Sequence, residues 1–467
     1  MRTPYPLNRV DDVLGDAIER TIRAHHRRRL RRIGHAAAYD APADGWAETG
    51  SFPVHSGCSV ELLVDGAEIL PRIVGDVEAA ASHVHLSGWF FTPSFRMGDG
   101  GPTLRGLLAD AATRVDVRVL AWAGAPLPLF RPDRGEVRAM RDELTRGTRI
   151  EMQLDARERM MHCHHEKLVI VDDRVAYVGG LDLTSFSGNR HDSSDHPSRI
   201  GIGWHDTCVR LEGPIVSDVA AHFRLRWQGA LPEPAAPATA AGTLDAQLVR
   251  TVPERVYEGL PRGEFTILES YRRALRAAER FVYLESQFLW SPEVIEILAD
   301  KLGDPPSPEF RVVVLLPAKP NNGLDDTRGQ VGVLVNAAEE GGDAERFLAC
   351  TLVQPQGRAV YVHSKAAVVD DHWFTVGSAN LNEHSFFNDT EVNVVVHDEA
   401  FARDARLRLW SEHLERDAAG EPSRVIDELW RPIATEGAPE RKLRLLPGVS
   451  RRTEALWGPL NGLIVDG

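Results

Sequence analysis

Cysteine is scarce. The 467 residues hold four, Cys58, Cys163, Cys208 and Cys350, and no Cys-x-x-Cys pair. That argues against a disulfide framework and against paired-thiolate zinc motifs, and suggests reduced thiols in a reducing compartment. Long apolar runs are also missing. No stretch reaches the ~18 consecutive apolar residues of a membrane-spanning helix. The first residues lack the apolar segment of a secretory leader, so a cytoplasmic protein with at most peripheral membrane contact is expected. Basic residues are outnumbered, 54 Lys and Arg against 68 Asp and Glu, for a net charge of −14. Binders of long nucleic acids ordinarily need a basic face, so that class is disfavoured, although a small basic pocket remains open. The rest is ordinary for a folded chain: 43% hydrophobic and 26% charged.

What is present is a repeat. The run His165-x-Lys167-x4-Asp172, followed by Gly179-Gly180-x-Asp182, returns near the C-terminus as His363-x-Lys365-x4-Asp370 and Gly377-Ser378-x-Asn380. The segments around it repeat as well. His83 to Phe91 matches Phe281 to Leu289, and Arg134-Gly-Glu-Val matches Arg328-Gly-Gln-Val, with Trp89 and Gln287 equally far upstream of their histidines. A repeat of this length means two copies of one fold rather than a solenoid. Strand and helix patterns alternate: strands at 59–64, 83–89, 115–122 and 149–154, helices at 70–81, 104–112 and 134–146. The expectation is an α/β architecture of two similar sandwich domains, related by a pseudo-twofold axis with the site between them. The expected divisions are 1–55 (a helix over 11–34 and a connector), 56–230 (domain 1), 231–243 (a Pro/Ala-rich linker), 244–415 (domain 2) and 416–467 (a tail packed on the body).

The paired pattern carries chemistry. The run 164–171 reads as a strand, which would put His165 and Lys167 on one face, and His363 and Lys365 likewise. Asp172 and Asp370 complete the signature, and with it the candidate catalytic set. Each stands at a strand end before a second aspartate (Asp173, Asp371), where a hairpin turn is expected and an anchoring role suits it better than a chemical one. Two imidazoles and two ammonium groups gathered in one pocket call for an anion, and a phosphate diester fits. A neutral imidazole can attack phosphorus and a protonated one can release the alkoxide. Lys167, Lys365, Asn380 and Ser378 are the candidate phosphate contacts, and Asn380 is preferred. Asp182, the first-copy counterpart of Asn380, would repel phosphate and is expected to bond protein groups. The ammonium groups fill the role of a divalent cation, so no metal or other cofactor is expected. Asp206 and Glu391 each open the apolar strand that follows a signature, and are candidates to fix the imidazole tautomers.

These segments resemble the HKD signature of the phospholipase D superfamily, from Cys58 to about Leu414. The resemblance implies two α/β domains enclosing one site, with His165 as the usual nucleophile and His363 as the acid; from the residues alone the two could be exchanged. It implies a phosphodiesterase or transphosphatidylase that cleaves glycerophospholipids through a phosphohistidine; a monomer is expected. Cardiolipin-synthase-like transfer to a lipid alcohol, a nuclease and a non-catalytic phosphate-binding scaffold are the alternatives.

Other features read more plainly. Six arginines in the second half of the N-terminal helix suit either an anionic lipid surface or a solvated helix end. In Met161-His162-Cys163-His164-His165 the alternation splits the ligands between two faces, against a single metal site. Residues 185–203 form an insertion that suits a solvent loop as well as a substrate rim, for which Asn189, Arg190, His191 and Asp192 are the candidates. Trp89, Phe90, Phe91, Phe288, Trp290, Phe386 and Phe387 suit core packing better than an acyl path.

Overall fold

A computed structural model describes residues 5–127, 131–159, 162–185, 203–231, 239–319, 327–354, 359–436, 442–446 and 448. The candidate rim Asn189 to Asp192, most of the linker and the last residues of the tail lie outside them. The first half of the chain supplies strands β1 (Val54–Val64), β2 (His83–Gly88), β3 (Asp116–Trp122), β4 (Glu151–Asp155), β5 (Leu168–Val171), β6 (Val175–Gly179), β7 (Gly203–His205) and β8 (Thr207–Glu212). The second half supplies β9 (Leu244–Val252), β10 (Glu264–Phe265), β11 (Phe281–Glu285), β12 (Arg311–Leu315), β13 (Phe347–Leu352), β14 (Val360–Val362), β15 (Ala366–Val369), β16 (Trp373–Gly377) and β17 (Glu391–His397). A last strand, β18 (Leu443–Leu445), follows.

One sheet holds both halves. Read from its middle outward, one side runs β1-β8-β6-β5-β2-β3-β4 and the other β9-β17-β16-β15-β11-β12-β13. The two series match strand for strand, and the antiparallel contact of β1 with β9 joins them. In each half the last three strands are parallel, because helices carry the chain back between them; the others are antiparallel.

Both faces of the sheet are covered, which is why its strands read as nearly continuous apolar runs. Along β12, Val313 and Leu315 enter one core while Val312 and Val314 enter another. Helices Asp65–Glu78, Leu104–Ala111 and Arg134–Thr145 cover one face of the first half. Helices Thr266–Ala277, Pro292–Gly303 and Arg328–Glu340 cover the equivalent face of the second. The opposite face is shared: helices Val216–Arg226 and Glu399–Leu414 bury residues of both halves in a single core.

Two expectations need correcting. The signature strand starts at Leu168, not at position 164, because the preceding backbone is recruited across the seam, as described below. The described part of the tail folds into short helices and adds β18 to the sheet edge against β13. The first helix starts at Tyr5 and packs on the second half, with His26 stacked on Phe387 at 3.9 Å. Its arginines are therefore partly spent on protein: Arg29 is 5% exposed and bonds Glu254, Asn388 and the Phe387 carbonyl. The aromatic set packs as expected, all buried except the half-buried Trp290.

Candidate active site

Two backbone clamps build the site. The N–H groups of His165 and Glu166 both reach the Thr390 carbonyl, at 2.9 and 3.2 Å. Those of His363 and Ser364 both reach the His205 carbonyl, at 2.9 and 3.1 Å. Thr390 immediately precedes Glu391, and His205 immediately precedes Asp206. Each signature histidine is thus held beside the carboxylate of the other half. His165 Nδ1 lies 3.0 Å from Glu391 Oε1, and His363 Nδ1 lies 2.8 Å from Asp206 Oδ2. A carboxylate accepting from Nδ1–H selects the tautomer whose Nε2 keeps its lone pair. Both carboxylates are fully buried, so each bond acts in a low-dielectric setting.

The lysines fold back on the same backbone. Lys167 Nζ donates to the His165 carbonyl at 2.6 Å and sits 3.4 Å from Asp182, which therefore bonds protein as expected. Lys365 Nζ donates to the His363 carbonyl and approaches Gln287 Oε1 at 3.3 Å. Asn380 Nδ2 lies 3.4 Å from that same oxygen. Gln287 thus joins Lys365 to Asn380, so one side of the pocket carries an amide and an ammonium where the other pairs Lys167 with Asp182.

Ser378 must be corrected. Its hydroxyl is used by Glu391 and by the backbone of Val392 rather than facing a phosphate. It positions the carboxylate that orients His165, and Ser385 adds a second hydroxyl at 2.6 Å. The first copy has Gly180 here for a steric reason: a Cβ would stand 2.1 Å from Asp206 Oδ1. The shorter aspartate approaches the strand backbone directly, whereas the longer glutamate is met by a serine.

Asp172 and Asp370 of the signature bond backbone at the strand ends. Asp172 accepts the N–H groups of Ala81, Ser82 and His83 at 2.9, 2.7 and 2.9 Å, tying the β5–β6 turn to the start of β2. Asp370 does the same for Glu279, Arg280 and Phe281. Both turn aspartates in each copy are left-handed, with φ between 51 and 56°. Asp is among the few non-glycine residues that tolerate this. Asp173 and Asp371 then bind Arg224 and Arg406 of the following helices.

The pocket's charge acts on His363. Burial first, then the charge of Lys365, holds its imidazole well below the ordinary range; Lys167 and His165 act in the same direction and Asp182 against it. All four groups are thus within electrostatic reach of His363. An anion entering among these cations would favour the protonated form, coupling the acid's readiness to substrate binding.

Residues that sequence reasoning passed over complete the site. In the parallel pair β7–β14, Trp204 faces Tyr361, and the indole stacks at 4.7 Å on the phenol and 5.1 Å from the His363 ring. His205 is wholly buried with Nδ1 3.0 Å from Asp65 and Nε2 3.0 Å from Glu285. Burial opposes its charge, but Glu285 and Asp65 prevail and raise its pKa well above the ordinary value. His413 donates to the other oxygen of Glu285 at 2.9 Å. The local signal is the tripeptide Trp204-His205-Asp206, in which only the acid stands out at the head of an apolar strand. The run around His162 disperses: His162 faces His384 and Asp389, His164 faces Thr390 and Asp155, and His165 faces Glu391.

The duplicated α/β sheet thus carries two carboxylate-oriented imidazoles and two ammonium groups at its seam. Comparison with known proteins finds similar chains. A family model described as "Cardiolipin synthase, PLD-like domain" matches residues 272–411. Phospholipase D A of Dictyostelium discoideum is 24% identical over 463 residues, covering 78% of this chain and 36% of that protein. The major cardiolipin synthase ClsA of Bacillus subtilis is 25% identical over 362 residues, covering 74% and 67%. Cardiolipin synthase 1 of Staphylococcus aureus is 22% identical over 370 residues, covering 74% and 66%. The chain thus spans only part of the length of these relatives. In fold it resembles the crystal structure of phosphatidylserine synthase from Haemophilus influenzae, with a TM-score of 0.52 at 10% identity, over 77% of this chain and 87% of that one.

Proposed function

We propose that this protein is a phosphodiesterase or transphosphatidylase acting on glycerophospholipids through a covalent phosphohistidine. The observation that carries the reading is the crosswise pairing, in which each signature imidazole is aligned by the carboxylate of the opposite half. In the first step His165 Nε2 attacks phosphorus as the P–O bond to the headgroup breaks. His363, as imidazolium, gives its Nε2 proton to the departing alkoxide. In the second step His363, now neutral, takes the proton of a water or alcohol whose oxygen attacks phosphorus and breaks the P–N bond. Lys167, Lys365 and Asn380 lie against the phosphoryl oxygens, where charge builds in the transition state. The substrate class follows from the three relatives, a phospholipase D and two cardiolipin synthases, whose names denote phospholipid enzymes.

The description of the family model and the two synthases favour a lipid alcohol as acceptor, so transfer is the second reading. A lipid panel incubated with and without a primary alcohol, read by mass spectrometry, separates hydrolysis from transfer. His165→Asn and His363→Asn are each expected to abolish turnover with folding retained. Normal turnover by either variant, or cleavage of oligonucleotides but of no phospholipid, would overturn the proposal. A peripheral membrane contact and a monomeric state belong to the same reading. Among the described residues no helix is long and apolar enough to cross a membrane.

A further inference from the structure

A second basic pocket lies apart from the signature residues, where the N-terminal helix Tyr5–Ile33 meets helices Thr266–Ala277 and Pro292–Gly303. It is open, about 550 Å³, and shares none of its lining with the two His–Lys pairs. Arg20, Arg23 and Arg27 line one wall, Arg272 and Arg276 another, and Lys301 a third. Three acids, Asp40, Glu296 and Asp300, also line it, which leaves the cations in excess. Two of the acids are already engaged. Glu296 pairs with Arg23 at 3.0 Å, and Asp40 pairs with Arg27 at 2.7 Å.

Arg272 is the anomaly. It is 3% exposed, forms no ion pair among the described residues, and its Nε and Nη1 make no hydrogen bond there. Its guanidinium rests on the Tyr39 ring at 4.6 Å; burial first, then Arg276 one helical turn along, disfavours its charge, with Tyr39, Glu293 and Glu296 acting the other way without an ion pair to it among the described residues. A buried guanidinium without a carboxylate is costly, and a like-charged neighbour at i+4 adds to the cost. The deficit is one anion with several oxygens, able to accept from the Arg272 fork and from Arg276 together.

We propose that this pocket binds a phosphate group, as a free ion, a soluble ester or a lipid headgroup, at a site separate from the catalytic one and held by Arg272 and Arg276. The test uses the full chain. Titration calorimetry with inorganic phosphate is expected to show two binding events, one of which Lys365→Met removes. Arg272→Gln and Arg276→Gln should each weaken the other by roughly tenfold to a hundredfold, as loss of a charge-assisted hydrogen-bond pair implies. Cleavage of a soluble p-nitrophenyl phosphodiester should be unchanged in both. Sedimentation with phosphatidylcholine vesicles, with and without phosphatidylglycerol, separates the sources. A matching fall in vesicle binding identifies a lipid headgroup; intact vesicle binding identifies a soluble phosphate. Arg276 is only half-buried, so its substitution should leave the fold intact, with an unchanged melting curve as the control. Undiminished phosphate binding by a folded Arg276→Gln protein would refute the proposal.

Discussion

Replacing Asp206 by Asn tests the crosswise arrangement most sharply. The carboxylate accepts from His363 Nδ1 at 2.8 Å and is wholly buried. Asn keeps the size and the oxygen that the Thr207 N–H reaches at 3.0 Å, so the fold should stand. An amide NH2 turned toward Nδ1 reverses the imidazole tautomer, and Nε2 can no longer accept a proton. General acid–base catalysis contributes roughly 10²–10⁴-fold, equivalent to about 3–5 kcal/mol of activation free energy. If His363 is the acid, the loss should depend on the leaving group. A phospholipid releasing an alkoxide needs that proton, so its first step slows by the full factor and no burst appears. A p-nitrophenyl diester leaves unaided, so its first step survives while breakdown of the phosphohistidine slows. Stopped-flow absorbance should then record a burst of nitrophenolate stoichiometric with enzyme, followed by slow turnover. Glu391→Gln, acting on the nucleophile, should slow both substrates without a burst. A burst from Glu391→Gln and none from Asp206→Asn would exchange the two histidines. Undiminished turnover by both variants would refute the orienting role altogether.

Three further outcomes follow from the geometry. Asp172→Ala removes the acceptor of three backbone N–H groups and should cost about 2–4 kcal/mol in denaturant unfolding, while leaving kcat of the folded protein within a few-fold. His205→Gln leaves Asp65 and Glu285 facing an uncharged group and should cost about 3–5 kcal/mol. Because the folded pKa of His205 is raised, its contribution is complete below about pH 6.5 and is lost as pH rises through the folded value. The native protein's melting temperature should accordingly fall more steeply on the alkaline side than that of His205→Gln. Gly180→Ala places a methyl group against Asp206 and should lower kcat with little change in KM, whereas Ser378→Gly only loosens Glu391 and should be milder.

Much was readable because it is written locally. The Asp-Asp turns announce themselves by residue type, since few side chains accept a left-handed backbone, and the same pair recurs after both strands. The helices opening at Arg134 and Arg328 follow from the repeated tetrapeptide, and the alternation of strands and helices follows from period. Glu391 and Asp206 could be proposed from their place at the head of an apolar strand. Which histidine each serves could not, because Thr390 and His205 lie far along the chain from the N–H groups that they accept. The same holds for Leu168 as the true start of the strand: period-2 patterning continues upstream to His164, but the backbone there bonds across the seam. Ser378 misled because a hydroxyl beside a phosphate motif looks like a ligand until its distance to Glu391 is known.

The sequence alone determined that there are two copies, that each carries an imidazole, an ammonium and an anchoring aspartate, and that acids stand ready nearby. Tertiary structure decided that the copies share one sheet through β1 and β9, that each imidazole takes its carboxylate from the other copy, and that Arg272 is buried with no ion pair among the described residues. The physical reason is range. Propensity, turn chemistry and periodicity act over a few residues, whereas a buried charge is answered by whichever partner the packing brings within about 3 Å.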